Sequence, residues 1–349
     1  MKKIGKFAVA IALLAAISLP VPACRSSAKP ILNVFAWAGL FKPALIARFE
    51  QEAGCKVVIT TVESNETVYA DLSNEVAACD LLTAPSSLVG LMAAQEMLQP
   101  LDHELLPNLE HVDPEFLSIA LDKTMEHSVP HVVANTGLAY LKSRVKDFLP
   151  TWGMLDRPDL KGRIVVLDDM RQTIGAALKS LGYSLNSTDP LELAKARDVV
   201  LRWKKNQARF ENGQVPADLA AGRAFLVHGF SNEVLPVQAG NSDIAYAMPF
   251  EGGAVDCVDL VIPKNSAQTE LAHALINFFH DPVVAAENSL FIGYLCPNKD
   301  SYAYFDEDLR TNPAVFLPPT VLSKCEVVAD LGAANELWVK VWNEIKAAK

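Results

Sequence analysis

The sequence predicts an α/β protein with two lobes, and three observations support that prediction. The chain of 349 residues is long enough for two domains. In its first half, short apolar runs alternate with amphipathic stretches of helical period, which indicates a mostly parallel sheet flanked by helices. The same alternation begins again at RIVVL, after an extended segment from Val129. We therefore expect two lobes between which the chain crosses more than once.

Apolar runs locate the strands. In the first half they are ILNVFAW from residue 31, CKVVITTV from residue 55 and DLLTA from residue 80. The stretch VPHVVANTGLAYLK from residue 129 has no helical stripe and indicates a crossing between lobes. In the second half the strands are RIVVL, RAFLVHGF and the two runs of DIAYAMPFEGGAVDCVDLVIP, which the turn FEGG joins.

Helices are expected between these strands. The stretch ESNETVYADL from residue 63 predicts one of them. Asp189 and Pro190 combine a capping side chain with a proline at the first helical position. Another helix begins after Asp168 and Asp169 and ends near Gly182. A single Asp suffices to cap a helix, so the second is a candidate for ligand contact at the carboxyl end of a strand.

The N-terminus resembles a bacterial lipoprotein leader. Lys2, Lys3 and Lys6 precede an apolar run over residues 7–19 that is too short to span a membrane, and a small residue stands directly before Cys24. We expect a signal peptide over residues 1–23, lipidation of Cys24 and a tether over residues 24–30. Ordinary cleavage after Ala23 or Ala28 is the alternative, and either route exports the product.

The net charge bears on the partners. Without the three lysines of the leader, the chain carries a net charge of −13. This charge argues against nucleic acid as a partner and against binding anionic lipid head groups, and it permits a cationic ligand. Simple solubility explains the charge equally well.

Five cysteines remain beyond Cys24, an odd number that leaves at least one free thiol unless chains pair. Cys55 and Cys79 each open a predicted strand. With the first strand between them, their Cα atoms lie about 10 Å apart by strand spacing, whereas a disulfide needs less than about 7 Å. We expect these two residues to be buried thiols.

The chain lacks familiar catalytic patterns. It contains no G-x-S-x-G, H-E-x-x-H, Walker loop or dinucleotide-binding glycine pattern, and its seven histidines are scattered. No sequence motif indicates a nucleophile paired with a base, a metal site or a cofactor-binding site. An enzyme is therefore the least favoured class.

Aromatic and acidic residues instead stand at the predicted strand ends, among them Trp37, Asp169, Phe230 and Glu233, with Tyr294 in a later loop. Carboxylates accept ammonium hydrogens, and ring faces cover methylenes and attract positive charge, which together suit a linear alkyl diammonium ion. Taken singly, each residue has an ordinary structural explanation, such as core packing or helix capping.

At these residues the chain resembles the bacterial spermidine/putrescine-binding proteins, the extracytoplasmic receptors of polyamine ABC importers. The landmarks are LNVFAWAGLF, VESNETVYADL, LDDMRQ, LGYSLNSTDP, GFSNEV, PFEGGAVDCVDLVIP, IGYLCPN and DLGAANELW. The resemblance implies a type II periplasmic-binding-protein fold, in which crossing hinge strands join two lobes, each a mostly parallel sheet flanked by helices. It places lobe 1 at residues 31–134 and 258–302, lobe 2 at residues 135–257 and 303–349, and the ligand cleft between them.

The resemblance also assigns the cleft residues. Trp37, Phe230 and Tyr294 are expected to wrap the alkyl chain, with a hydroxyl from Ser87, or from Ser86 after a one-residue slip. The acids Asp169 and Glu233 are expected to take ammonium groups, while Asp168 caps the helix. The complete set of expected ligand-binding residues is Trp37, Ser86, Ser87, Asp169, Gln172, Phe230, Glu233, Asp256 and Tyr294.

Departures from the family leave the preferred ligand open. The family has a hydroxyl, an acid and a tyrosine where this chain has Ala38, Gly39 and Leu40, and Gln172 replaces a glutamate. Val258 stands at an acid position, and strand alternation puts Asp256 on the same face, so Asp256 is expected to take over the acidic role.

The partners that the resemblance implies are a polyamine, putrescine or spermidine, and an ABC permease in the inner membrane. The protein is expected to be a monomer in the periplasmic space, held to a bacterial membrane only through lipid on Cys24. The alternatives are a receptor for another small cation or an amino-acid-like solute, and a sensory or adhesive surface lipoprotein.

Overall fold

The computed structural model describes residues 29–62, Ser64, Tyr69 and residues 78–348. The predicted leader and Cys24 lie outside these residues, as does most of the helix predicted for ESNETVYADL. In the described part of the chain, no helix is both long and apolar enough to cross a membrane.

Strands hydrogen-bond along one path in the order β2-β1-β3-β9-β4-β7-β5-β6, with β8 beside β4 and β10 beside β9. The outer pairs are parallel, whereas β4 and β9 run antiparallel to each other and to most of their neighbours. The described strands are β1 Ile31–Trp37, β2 Lys56–Val62, β3 Leu81–Pro85, β4 Ser128–Leu141, β5 Ile164–Val166, β6 Gln207–Phe210, β7 Leu226–Phe230, β8 Ile244–Ala247, β9 Ala254–Val261 and β10 Glu326–Val327.

Helices cover the sheet, and their starts follow the sequence signals. Asp189 caps its helix by accepting a hydrogen bond from the Leu191 amide, and Pro190 occupies the first helical position, as predicted. The described helices are α1 Pro43–Glu52, α2 Ser86–Ala94, α3 Pro114–Leu117, α4 Met170–Ser180, α5 Pro190–Lys204, α6 Val215–Ala220, α7 Ser231–Gly240, α8 Thr269–Phe279, α9 Pro282–Ile292, α10 Glu307–Arg310, α11 Pro319–Leu322 and α12 Asn335–Ala347.

The crossing predicted from Val129 is confirmed as β4, and it joins two halves of the sheet. Residues 128–135 of β4 pair with β9, whereas residues 136–141 pair with β7 and β8. Strand β9 makes the same change, because residues 254–255 pair with β10 and residues 258–261 pair with β3. Both strands therefore pass from one half of the molecule to the other.

Separate apolar cores lie on the two sides of these crossing strands. One forms around β1, with Leu32 and Val34, and includes Phe279 of α8. The other contains the buried indoles of Trp152, Trp203 and Trp338. Because each half buries its own apolar side chains, the crossing strands are the main covalent and hydrogen-bonded link between two self-contained lobes.

The cysteines of the described region are all buried free thiols, so the expectation for Cys55 and Cys79 is confirmed. Burial raises the pKa of the Cys79 thiol to about 12. A thiol of this kind is a poor nucleophile at neutral pH, since the thiolate is the reactive form.

Candidate functional site

The register of the crossing strands places two of the expected site residues on one face. Asp256 on β9 stands opposite Ala134 on β4, and Phe230 on β7 stands opposite Thr136. Ala134 and Thr136 are two residues apart, so their side chains project from the same side of the sheet. We call this side, which carries Ala134, Thr136, Phe230 and Asp256, the cleft face.

Gln172 joins two strands of the cleft face by hydrogen bonds. Thr136 Oγ1 donates to Gln172 Oε1 at 2.7 Å, and Gln172 Nε2 donates to the two carboxylate oxygens of Asp256 at 2.9 and 3.2 Å. The Gln172 side chain is buried and uses both ends of its amide within the protein. Its position therefore favours orienting Asp256 over contacting a ligand directly.

The turn that contains Asp168 and Asp169 differs from the sequence prediction in which of the two caps α4. Asp169 is the N-cap of α4, where its Oδ1 accepts a hydrogen bond from the Gln172 amide at 2.9 Å. Asp168 is exposed and accepts a hydrogen bond from Lys346 Nζ at 2.6 Å, so the prediction that Asp168 caps the helix is wrong. The reason is local, because α4 begins at Met170 and the capping position directly precedes it.

Asp256 lies in a strongly perturbed electrostatic environment. Burial, and after it the charge of Asp169, raises the pKa of Asp256 to about 7, although the Gln172 hydrogen bond and the charge of Arg171 oppose that rise. The pKa of Asp256 rises because poor hydration and the like charge of Asp169 both disfavour the ionised form of its carboxyl group.

Arg171 was not predicted from the sequence, and it does not form an ion pair with these acids. Its guanidinium donates to the Ala329 carbonyl and to Asn186 Oδ1, both at 2.7 Å, and stands 4.8 Å from the centre of the Trp338 ring. Its charge still reaches Asp169 and Asp256 electrostatically. Arg171 therefore lowers the pKa of Asp256 through its charge, without contacting the carboxylate.

Glu233 and Tyr294 belong to the same electrostatic cluster. Glu233 lies in the first turn of α7, and its Oε2 is buried without a hydrogen-bond partner in the described structure. Burial raises the pKa of Glu233. Burial, followed by the charges of Glu233 and Asp256, also raises the pKa of the Tyr294 phenol. Glu233 and Asp256 are thus both within electrostatic reach of Tyr294, and Asp169 is within electrostatic reach of Asp256.

Lobe 1 offers an aromatic ring and a hydroxyl at its strand ends. Trp37 is the half-buried last residue of β1, and Ser87 is half-buried in the first turn of α2, after β3. Ser86 is not brought to the acids on the cleft face. Its Oγ is buried and donates to Asp259 Oδ2 at 2.8 Å, and Asp259 projects from the opposite side of β9 to Asp256.

A cavity of about 600 Å³ lies on the other side of the crossing strands. Val133, Asn135 and Val255 contribute to its wall, and the register places them on the face opposite to Asp256. Tyr294 lines this cavity as well, so it stands between the cavity and the acidic cluster. The cavity is mostly apolar, and Ala134 of the cleft face also contributes to its wall.

The acidic cluster suits a cation. No basic side chain in the described structure lies in salt-bridge contact with Asp169, Glu233 or Asp256. No group of acidic, histidine or cysteine side chains within the described ranges is arranged to hold a metal ion. These carboxylates are partly buried, and a partly buried carboxylate without a counter-ion is destabilised, a cost that a bound ammonium group relieves.

A two-lobed α/β fold, with a carboxylate on one of the strands that join its halves, is typical of solute-binding proteins. The chain belongs to the family of bacterial extracellular solute-binding proteins, whose sequence pattern matches residues 44–317. This assignment confirms the resemblance noted from the sequence at the level of the family.

Curated relatives match nearly the whole chain. The spermidine/putrescine-binding periplasmic protein of Salmonella typhimurium is 29% identical over 336 residues, which cover 96% of this chain and 97% of that protein. The putrescine/cadaverine-binding protein of Pseudomonas aeruginosa is 27% identical over 348 residues, which cover 96% and 98% of the two chains.

Solved structures agree with the predicted fold class. The spermidine/putrescine ABC transporter substrate-binding protein PotD of Streptococcus pneumoniae superimposes with a TM-score of 0.86 at 25% identity, covering 91% of this chain and 99% of that one. The TpPotD lipoprotein of Treponema pallidum gives a TM-score of 0.80 at 29% identity, covering 90% and 99%. The two-lobed periplasmic-binding-protein fold is thereby confirmed.

Proposed function

We propose that this protein is an extracytoplasmic receptor for a linear polyamine of the putrescine or spermidine class. The observation that carries the proposal is the cluster of three carboxylates, Asp169, Glu233 and Asp256, without an ion-pair partner in the described structure. The relatives named for spermidine, putrescine and cadaverine support the same class of ligand.

In the proposed complex the lobes close over an extended ligand. Asp169, Glu233 and Asp256 accept the ammonium hydrogens, and the rings of Trp37, Phe230 and Tyr294 cover the methylenes, with Ser87 as an additional polar contact. Gln172 holds Asp256 in place. Closure is a shift in population, because only the closed form contacts the ligand from both lobes.

The energies of these contacts are consistent with tight binding. Burying the four methylenes of putrescine contributes about 3 kcal/mol, and each charge-assisted hydrogen bond contributes roughly 1.5 to 3 kcal/mol. After the costs of association and closure, a total of roughly −8 to −10 kcal/mol remains, which corresponds to micromolar or tighter affinity.

The setting that we propose is the periplasm of a bacterium. Lipid on Cys24 would hold the protein at the membrane, and the closed monomer would deliver its ligand to the permease of an ABC importer. The lobe division predicted from the sequence supplies the two moving bodies. A C24A substitution that leaves the protein in the membrane fraction would contradict the proposed anchor.

Calorimetric titration with putrescine, spermidine and γ-aminobutyrate tests the proposed ligand. We expect saturable binding of at least one polyamine and no heat from the amino acid. W37A and E233Q are expected to weaken binding at least tenfold, whereas D168N, an exposed acid next to the site, keeps the affinity. Binding of the amino acid alone would indicate another solute, and no heat from any compound would favour a sensory or adhesive lipoprotein.

A further inference from the structure

Asn135 occupies the point at which β4 changes partners, which we call the joint. Asn135 pairs with Val255 of β9, and the next residue, Thr136, pairs with Phe230 of β7. The side chain of Asn135 is buried, and strand alternation points it to the opposite side from Ala134 and Thr136 of the cleft face. Asn135 therefore lies between the lobes without facing the proposed ligand.

Hydrogen bonds fasten Asn135 to three elements of lobe 2. Its backbone amide donates to Ser231 Oγ of α7 at 3.2 Å, and its Nδ2 donates to the Ala314 carbonyl at 3.1 Å. Its Oδ1 accepts a hydrogen bond from the buried hydroxyl of Tyr246 on β8 at 2.8 Å. Both ends of the side-chain amide are thus bonded within the protein, so the joint has one defined geometry.

The hydroxyl of Tyr246 reaches the joint because residue 137 is a glycine. A Cβ atom on Gly137 would lie 2.7 Å from the Ala247 carbonyl oxygen and 2.9 Å from the Tyr246 hydroxyl oxygen. A side chain at this position would push Tyr246 away from Asn135, whereas glycine permits the close approach.

Asn135 also holds the end of a further segment that runs between the lobes. On the lobe 1 side, the hydroxyl of Tyr302 donates a hydrogen bond to Asp113 Oδ2 at 2.8 Å. Farther along the chain, Ala314 is completely buried in an apolar core of lobe 2 that includes Val234 of α7. Because the Ala314 carbonyl accepts from Asn135 Nδ2, the joint links this segment to β4.

The same contacts relate two of the proposed ligand-binding acids to each other. Ser231 is the first residue of α7, and Glu233 lies two positions later in its first turn. Ala134, directly before Asn135, stands opposite Asp256 on β9. The joint therefore connects the helix that carries Glu233 to the pair of strands that carries Asp256.

We propose that Asn135 is a positioning residue, which sets the spacing between Glu233 and Asp256 and thereby the length of diamine that the cleft prefers. This inference rests on the proposed function and adds how a residue outside the cleft selects among ligands of one class. A fixed spacing between carboxylates favours the diamine whose ammonium groups match it. A loosened joint lets the acids adjust to several lengths, at the cost of the preorganisation that supports affinity.

Calorimetric titration with 1,3-diaminopropane, putrescine, cadaverine and 1,6-diaminohexane tests the inference. In the wild type, the dissociation constants of the best and worst diamines are expected to differ at least about tenfold, and in N135A by less than about threefold. Y246F removes the hydroxyl that donates to Asn135 Oδ1 and should narrow the range in the same way.

N298A is the matched control. Asn298 is buried like Asn135, and it joins the Ser301 amide to the His280 carbonyl within lobe 1. Its removal costs a buried asparagine with the same kinds of hydrogen bonds, but it leaves the joint intact. The four diamines are therefore expected to keep their wild-type ratios of dissociation constants in N298A.

These ratios separate positioning from a purely structural role, because a variant that is only less stable keeps them in its folded fraction. The inference is refuted if N135A and Y246F keep the wild-type ratios, if N298A narrows them equally, or if the wild type binds all four diamines equally well. In each of these cases the proposed polyamine function stands, because the diamines bind.

Hydrogen exchange without ligand keeps the joint testable if no diamine binds. In N135A and Y246F, the amides of Thr136, Ser231 and residues 314–316 are expected to exchange at least about tenfold faster than in the wild type, with no such change in N298A. Faster exchange without diamine binding would refute the proposed ligand and leave the joint in place. Exchange at the wild-type rate would refute the joint itself.

Discussion

Ser86 Oγ donates a hydrogen bond to Asp259 Oδ2 at 2.8 Å inside the protein, whereas the neighbouring Ser87 is only half-buried. The two serines are neighbours at the start of α2, yet the side chain of Ser86 is enclosed in the protein interior and that of Ser87 is partly exposed. Cys257 also approaches Asp259, with its Sγ 2.9 Å from Oδ1. This buried group stabilises the connection between α2 and β9, on the side away from the cleft face.

The two serines are therefore expected to respond differently to alanine. S86A removes one of the donors to the buried Asp259, which keeps the Cys257 thiol, and should lower the free energy of unfolding by about 1 to 3 kcal/mol, with putrescine affinity unchanged in the folded protein. S87A should leave stability within about 0.5 kcal/mol and weaken putrescine binding several-fold. Urea unfolding and calorimetry of both variants measure this, and the reverse pattern would assign the cleft hydroxyl to Ser86.

Gln172 is expected to act through Asp256. In Q172A the Asp256 carboxylate loses both of its hydrogen bonds from the amide. A hydrogen bond to a charged group contributes about 1.5 to 3 kcal/mol. The affinity for putrescine should therefore fall about tenfold or more. T136V removes only the hydroxyl that orients the amide and should cost less. Unchanged affinity in Q172A would show that Asp256 needs no such support or does not bind the ligand.

Asp256 should also make the stability of the empty protein depend on pH. Its pKa is raised to about 7 in the folded protein and is near 4 when unfolded, so the native state binds more protons between these values. The free energy of unfolding therefore falls as pH rises through this window.

D256N cannot ionise and escapes this penalty. Without ligand it is expected to melt at a higher temperature than the wild type at pH 8, and the difference should shrink as pH falls toward 4. Scanning calorimetry of both proteins at several pH values measures the difference. The pKa of Asp256 would not be raised if the melting temperature of D256N minus that of the wild type were smaller at pH 8 than at pH 5.

The sequence was sufficient for eight of the ten described strands, because their apolar runs end at recognisable turns, and this includes the crossing segment, which lacks a helical stripe. The short strands β6 and β10 were not predicted. Strand alternation also put Asp256 and Val258 on one face without coordinates. These features depend on neighbours in the chain, so local pattern determines them.

The contacts that organise the site depend on distant residues. The bonds that Gln172 makes to Thr136 and Asp256 span 36 and 84 positions, and no local pattern encodes them. The choice between Asp168 and Asp169 as the helix cap, and between Ser86 and Ser87 as the cleft hydroxyl, turns on a shift of one residue. Such a shift is smaller than the precision with which a sequence defines the end of a helix.

Buried histidines provide a last prediction, independent of the ligand. His228 is completely buried against the ring of Trp152, and both of its ring nitrogens lack hydrogen-bond partners in the described structure. Burial lowers the pKa of His228 to about 3, whereas an unfolded histidine titrates near 6.5. The unfolded state therefore binds more protons below pH 6.5, and stability is lost as pH falls from there toward 3.

H228L removes this titration while keeping an apolar side chain in the core. The difference in unfolding free energy between H228L and the wild type should shift in favour of the variant by up to about 1.4 kcal/mol for each pH unit below 6. Urea unfolding at pH 6.5, 5.5 and 4.5 measures it. A difference that stays constant over this range would mean that His228 binds its proton equally well in the folded and unfolded states, which a side chain enclosed in this core cannot do without a new hydrogen-bond partner.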